Sequence, residues 1–498
     1  MSEADAERVA AALGDLPLAV SQAGAYLAET GTAVEEYLRL LQTRAADVLA
    51  QGAPITYPAS LAASYQLAFD QLMVEEPAAL ELLLLAAYLA PEPIPFTLFT
   101  AQADRLPGRL AAAVADPLDF AGLTRLLRRR GLARVEASSL QLHRLVQAIL
   151  RSRPPDGAQG EGMAVVAVRL VRGAVPADPW DNPSTWPAWR KLLPHVLATT
   201  DTSRYLDPAG EDVAWLLSEA ASYLQTRGEP GPARPLFERA LTDRRRMLGK
   251  DHPDTLTSAS DLAVDLQGLG EYERARQLQE DTLTRKRRSL GADHPATLTS
   301  ANNLALTLAA LGEYERARQL HEDTLTRRRR VLGADHPHTL GSVSNLALTL
   351  YALGEYEQAR QLNEDSLIRL RRVLGEDHPH TLASINNLAS ILRALGEHAQ
   401  ARQLHEDTLT RRRRLLGEDH PQTLNSASNL AADLRALSEH EQARQLDEDT
   451  LTRRRRILGE DHPHTLRSAN NLARDLRALG EYEQARELEG HVQSHRRS

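Results

Sequence analysis

An asparagine side chain carries both a donor and an acceptor, and in this sequence one returns at a fixed interval: Asn303, Asn345, Asn387, Asn429 and Asn471, with Asp261 one step earlier. A row of such groups matches the repeating amide of an extended polypeptide. The same groups could instead bond across to a neighbouring repeat and fix only its stacking. A second series changes character along the chain: Gln267, Ala309 and Tyr351 give way to Arg393, Arg435 and Arg477, joined by Arg467 and Arg474. Guanidinium groups grip carboxylates bidentately, so this series points to an acidic peptide or a free carboxylate. Its other reading is ordinary surface arginine on a helix.

Other chemistry finds less support. Ser, Asp and His are plentiful but form no nucleophile elbow and no paired-carboxylate context, so no catalytic residue is assigned and the expectation is a non-enzyme. With no Cys in the chain there is no thiolate metal site and no Cys nucleophile. His294, His336, His378 and His420 recur too far apart in sequence to share a metal and read as packing at the junctions between units. The runs RRRR at 327–330, 411–414 and 453–456 suggest nucleic acid at first sight. Each follows Glu-Asp, however, so Asp323 can pair with Arg327 at i+4, and the cations fall near a helix C-terminus; a solvated outer face is the expectation.

The bulk charge agrees: 59 basic against 67 acidic residues give a net charge of -8. That balance argues against nucleic acid as the partner. The longest apolar patch, LLLLAAYLA at 82–90, falls far short of a membrane span, and the first residues show no basic leader with an apolar run. A cytoplasmic protein with no membrane contact and no cofactor is expected.

The elements that position these residues come from repetition. The tripeptide DHP begins at Asp251, Asp293, Asp335, Asp377, Asp419 and Asp461, always 42 residues apart. A fixed period of that size signals a solenoid. Pro253 and its equivalents suit a first helical turn, and Gly270, Gly312, Gly354, Gly396 and Gly480 suit the left-handed exit from that helix. Ser438 replaces the glycine in one copy, at a cost of about 1 kcal/mol. Leu262, Ala263 and Leu266 on the first helix, and Ala275, Leu278 and Leu283 on the second, mark the buried stripes. Units such as HPATLTSANNLALTLAALGEYERARQLHEDTL resemble tetratricopeptide (TPR) repeats in the long form of kinesin light chains, over about 211–489. The resemblance implies an all-α superhelix whose first helices line the inner wall, with the asparagine row on it. Counting a degenerate unit from 211, seven helix pairs are expected over 211–498, the last one ending as a polar cap.

Residues 1–200 have another texture. Ala- and Leu-rich helical stretches lead to a short hairpin, GLARVEASSLQLH, and a helix, RLVQAILRSR, which suggests a winged-helix domain over 77–152. A Pro/Gly-rich break and a Trp/Pro-rich spacer then occupy 153–210, leaving 1–76 as a helical region. Within this half LGDLPLAVSQAGAYL resembles the GLPL motif, and LQLHRLVQAIL the MHD region, of STAND-type (NB-ARC) signalling ATPases. The resemblance implies a nucleotide-facing Pro17 and a phosphate-sensing His143. No GxxxxGK[ST] loop occurs, so the phosphate cradle itself is missing. The expectation is a protein-binding scaffold or sensor of a STAND-type system that holds a protein or peptide in the concave groove, an acidic one on the arginine reading. The alternative is the regulatory half of an NB-ARC switch that answers ADP or ATP when a P-loop half is present.

Overall fold

The computed structural model describes residues 2–13, 17–43, 61–152, 162–177, 179, 183–204, 206–460 and 462–496. Its contacts divide the chain into two units, Met1–Ala177 with Ser184–Leu217, and Asp178–Pro183 with Ser218–Ser498.

The first unit is mostly helical. Helix Pro77–Ala86 is apolar except for Glu81, which accepts from Leu110 N, and buries Leu80, Leu82, Leu83 and Leu85, as a central helix must. Three short strands, β1 (Ile94–Pro95), β2 (Arg134–Val135) and β3 (Ser139–Gln141), form an antiparallel sheet in the order β1-β3-β2, with Val135 and Ile94 both opposite Leu140. The hairpin β2–β3 lies in the stretch read as one, and β1 had no signal in the sequence. Helix Arg144–Arg151 returns from the hairpin, and Gln147 ties it to the central helix by donating to the carbonyls of Ala86 and Leu89 at 3.1 Å. Trp189 is fully buried, its indole N–H donating to the Pro176 carbonyl. Buried His195 bonds Ala90 N and the Pro93 carbonyl with its two ring nitrogens.

The second unit is a run of helix pairs. Six repeats, numbered 2 to 7, open with Pro253–Gly268, Pro295–Ala310, Pro337–Ala352, Pro379–Ala394, Pro421–Ala436 and Pro463–Ala478. Their second helices are Tyr272–Ser289, Tyr314–Leu332, Tyr356–Leu374, His398–Leu416, His440–Leu458 and Tyr482–Arg496. Gly210–Thr226, whose first half is counted with the first unit, and Pro230–Leu248 form the degenerate repeat 1, so seven pairs are present among the described residues. The final helix continues to Arg496 and buries Val492, inside the stretch that the sequence reading gave to a polar cap.

Each joint has its own small core rather than a share in a large one. Leu325 of repeat 3, Val343, Leu346 and Leu350 of repeat 4 and Ile391 of repeat 5 form one such cluster. Ala347 and Ala359, both wholly buried, let the paired helices approach closely. The turn between the helices is left-handed throughout, Gly270 at φ 79° and Gly312 at φ 82°, and Ser438 adopts φ 62° as its position demands. First helices of adjacent repeats touch one another, whereas second helices do so less, which places the first helices on the inner wall.

Candidate functional site

On the first helices of repeats 2 to 7 a stripe spaced i, i+4, i+7 and i+11 is exposed or half-buried, with buried Ser390 of repeat 5 the exception: in repeat 3 it is Thr299, Asn303, Leu306 and Ala310. This stripe is the inner face. The asparagine row sits on it, with Asn303, Asn345, Asn387, Asn429 and Asn471 all half-buried. Asn345 reaches back to the preceding repeat, donating to Asn302 Oδ1 at 3.2 Å, so that member also serves stacking. Asp261 heads the row, and burial raises its carboxyl to about 6. The neighbouring column is apolar in repeats 2 to 4, at Val264, Leu306 and Leu348, small at Ala432, and cationic at exposed Arg474.

The arginine series does not form the open cationic ladder that the sequence suggested. Arg393 donates to Asp433 of the next repeat at 3.0 Å and to the Asn429 carbonyl at 3.1 Å. The same Asp433 bonds His405. Arg435 lies between two carboxylates, 2.6 Å from Asp447 and 3.0 Å from Asp475. Both aspartates are fully buried, and burial pushes Asp447 up to about 7 and raises Asp475 as well. These two arginines are spent on joints. Arg477 is more open and pairs with Glu489 of its own repeat at 2.5 Å. Arg467, against His464 at 2.8 Å, and Arg474 remain on the exposed face of repeat 7.

A different cation ladder replaces it, one the sequence reading placed on the outer surface. Of each arginine run, the first and fourth residues do face outward. Arg327 pairs with Asp323 and Asp293, and Arg330 with Asp293; Arg411 and Arg414 share Asp377, and Arg453 and Arg456 share Asp419. The second residue turns inward: Arg328, Arg412 and Arg454 are 4%, 4% and 2% exposed, and Lys286 holds the same position at 3%. Their donors end on hydroxyls and carbonyls. Lys286 meets Ser260 and Ser300, Arg328 meets Ser342, Thr299 and the His338 carbonyl, Arg412 meets Ser426 and the Gln422 carbonyl, and Arg454 meets Ser468 and Asn425. Burial lowers the three guanidiniums to about 10 and the ammonium to about 8. Repeat 4 alone carries Leu370 here, fully buried. The signal that could have revealed this ladder is the serine five residues after each Pro, Ser258, Ser300, Ser342, Ser384, Ser426 and Ser468, buried at every joint.

The histidines of DHP are caps rather than joint packing. In each copy the ring Nδ1 accepts from the backbone N–H two residues on, as Ala296 N does to His294 at 3.2 Å. Neutral imidazole then carries its proton on Nε2. In repeats 6 and 7 that second nitrogen is used too: His420 bonds the Thr226 carbonyl and His462 the Gly268 carbonyl at 2.9 Å. One ring thus closes the start of one helix and the end of another.

In the first unit His143 is likewise a cap, its Nδ1 accepting from Leu145 N at 3.2 Å. Pro17 opens helix Pro17–Thr30, and its side chain is outside the described residues. Among the described residues no cluster of His, Asp and Glu is arranged to hold a metal, and no helix is long and apolar enough to cross a membrane.

No curated protein matches the chain. Among solved structures, the nearly identical TPR-like repeats of a kinesin-light-chain candidate from Podosopora anserina are 27% identical, covering 41% of this chain and 97% of that one with a TM-score of 0.35. A STAND protein with a tetratricopeptide repeat sensor from Pyrococcus horikoshii is 15% identical over 96% of this chain and 72% of its own, at a TM-score of 0.42. NprR in complex with its cognate peptide NprX is 17% identical over 58% of this chain and 80% of its own, at 0.44. Family models of the tetratricopeptide repeat match residues 213–254, 255–296 and 297–338, and a second form matches 338–414, 381–455 and 423–498. Those matches run without a break through more than half of the sequence, and the chain belongs to the tetratricopeptide-repeat family.

Proposed function

We propose that the array is a protein-binding module that holds an extended, acidic polypeptide segment against its inner face. The asparagine row offers paired donors and acceptors at the repeat spacing, which suits a peptide backbone and ignores its side chains. Preference for acidic residues comes from beneath the surface. The observation that carries the reading is the buried cation ladder, whose guanidiniums reach Thr299 and Asn425 on the inner stripe, one side chain from the open face. Arg328 also lies against the first turn of the following helix, at the His338 carbonyl, where the helix dipole is positive. Charges held in a low-dielectric joint project their field outward instead of being screened. A carboxylate-bearing strand relieves that accumulation.

The test uses Arg328→Leu, Arg412→Leu and Arg454→Leu together, because Leu370 shows that a joint accepts leucine here. Fluorescence anisotropy with a labelled 14-residue glutamate-rich peptide should give an affinity at least tenfold weaker for the triple variant and a shallower salt dependence. Equal binding of glutamate-rich and lysine-rich peptides, or of variant and native protein, removes the proposal.

The motifs at 14–18 and 142–143 support a wider reading, in which this array is the recognition arm of a STAND-type signalling system and the helical and winged region before it is the switch. The competing reading, an NB-ARC half that responds to ADP, is separated by calorimetry with ADP on the full chain and on His143→Ala.

A further inference from the structure

Two contacts join parts of the array that are far apart in sequence, and they are the same contact made twice. His420 at the start of repeat 6 bonds Thr226, and His462 at the start of repeat 7 bonds Gly268, each across 194 residues. The prolines that follow lie on the turn glycines of repeats 1 and 2: a Cβ on Gly228 would sit 2.2 Å from Pro421 Cδ, and one on Gly270 would sit 2.8 Å from Pro463 Cδ. At Gly312, Gly354, Gly396 and Gly480 the same test finds nothing within 4 Å. The superhelix therefore comes full circle, and the start of each late repeat rests on the end of an early one.

This seam is narrow. Each half centres on one proline ring on one glycine and one imidazole between two helix ends, its Nδ1 taking an N–H and its Nε2 giving a hydrogen to a terminal carbonyl, and in the second half Arg467 of repeat 7 also lies within electrostatic reach of Tyr272 of repeat 2. By contrast each ordinary joint combines an apolar cluster with ion pairs such as Arg318 to Glu355 and Arg360 to Glu397. Neither a large apolar cluster nor an ion pair is among these contacts of the seam, which join the early repeats to the late ones across the turn of the superhelix.

We infer that the seam is a latch: repeats 1 and 2 part from repeats 6 and 7 to admit or release a polypeptide segment, and the two histidine bridges close behind it. The inference rests on the inner-face binding reading given above for its ligand, but the opening itself can be measured without one.

The absence of cysteine makes the experiment clean. Spin labels on Arg227→Cys and Gln422→Cys straddle the seam. Pulsed dipolar spectroscopy should show a short distance together with a minor longer one in the native background, and His420→Ala with His462→Ala should make the longer distance dominant. Joining the same two cysteines with a short bis-maleimide should slow both association and dissociation of the glutamate-rich peptide at least tenfold, whereas the singly labelled proteins keep native rates. An unchanged distance distribution in the histidine variants overturns the latch, as does a cross-linked protein that exchanges peptide at the native rate. A protein that binds no peptide in any form while its distances shift as described refutes the acidic-ligand reading and leaves the latch standing on the distances.

Discussion

His462 Nε2 lies 2.9 Å from the carbonyl oxygen of Gly268, a residue 194 positions earlier. Contacts in a solenoid are otherwise between neighbours, and stability is then a sum of nearest-neighbour terms. This bond and its twin at His420 add a long-range term, so the early and late repeats should melt together rather than fray separately.

That term can be isolated with two matched substitutions. Gly270 and Gly312 have nearly equal φ, 79° and 82°, so Gly270→Ala and Gly312→Ala share a backbone penalty of about 1 kcal/mol. Only at Gly270 does the new methyl meet Pro463. Gly270→Ala should therefore lose roughly 1 to 3 kcal/mol more in urea unfolding, the cost of overpacking; equal losses would show that the seam contributes nothing.

Protonation of the seam histidines gives a pH dependence with a definite sign. Burial lowers His420 to about 4, below the ordinary value of 6.5, so the unfolded chain takes up the proton first. The contribution of His420 is full above pH 6.5 and is lost as the pH falls from there towards 4. In His420→Asn, which keeps a capping side chain, the unfolding free energy should fall less than in the native protein between pH 6.5 and 4.5.

Asp265 works in the opposite direction. It is fully buried with both carboxylate oxygens unpartnered among the described residues, and burial raises it to about 7. A carboxyl raised above its unfolded value stabilises nothing by ionising: its penalty is absent below about pH 4 and grows as the pH rises through 7. Repeats 3 and 4 carry Thr307 and Thr349 at this position. Asp265→Thr should gain roughly 2 to 4 kcal/mol at pH 8 and almost nothing at pH 4, measured by denaturant titration at both values.

Arg435 holds two buried carboxylates, so its removal should be among the most damaging single changes. Arg435→Leu leaves Asp447 and Asp475 without their cation and should lose about 3 to 5 kcal/mol. The joint between repeats 4 and 5 does without charge at the equivalent sites, Tyr351, Asn363 and Ile391. Installing that set as Arg435→Tyr, Asp447→Asn and Asp475→Ile should recover most of the loss, which thermal unfolding of the two variants would show.

Much of this architecture is legible in the residues. The period of DHP, the proline at each first turn and the glycine at each exit predict the helix pairs because they act locally, within a few residues. The recurrence of asparagine at one position of each first helix follows from the repeat, and its assignment to the inner wall from the resemblance to TPR units. What the sequence conceals is the partner of each charge. Arg393 and Arg328 look alike as letters on a helix, but one meets a carboxylate 40 positions on and the other ends on a serine, a threonine and a carbonyl, and only packing distinguishes them. A histidine before proline reads as filler because ring nitrogens are uncommon helix caps. The circle that brings Thr226 to His420 depends on small rotations summed over several repeats, for which no single residue is responsible.

The joints that look interchangeable carry different labels. One position on the second helix and one on the next first helix read Gln279 with Thr307, His321 with Thr349, Asn363 with Ile391, His405 with Asp433 and Asp447 with Asp475. A chain slipped by one repeat would set Asp433 against Asn363 and strand its charge away from Arg393. Near-identical units invite mispairing within a molecule and between molecules, and this short column of mismatched neighbours is what lets each unit recognise its proper place in the line.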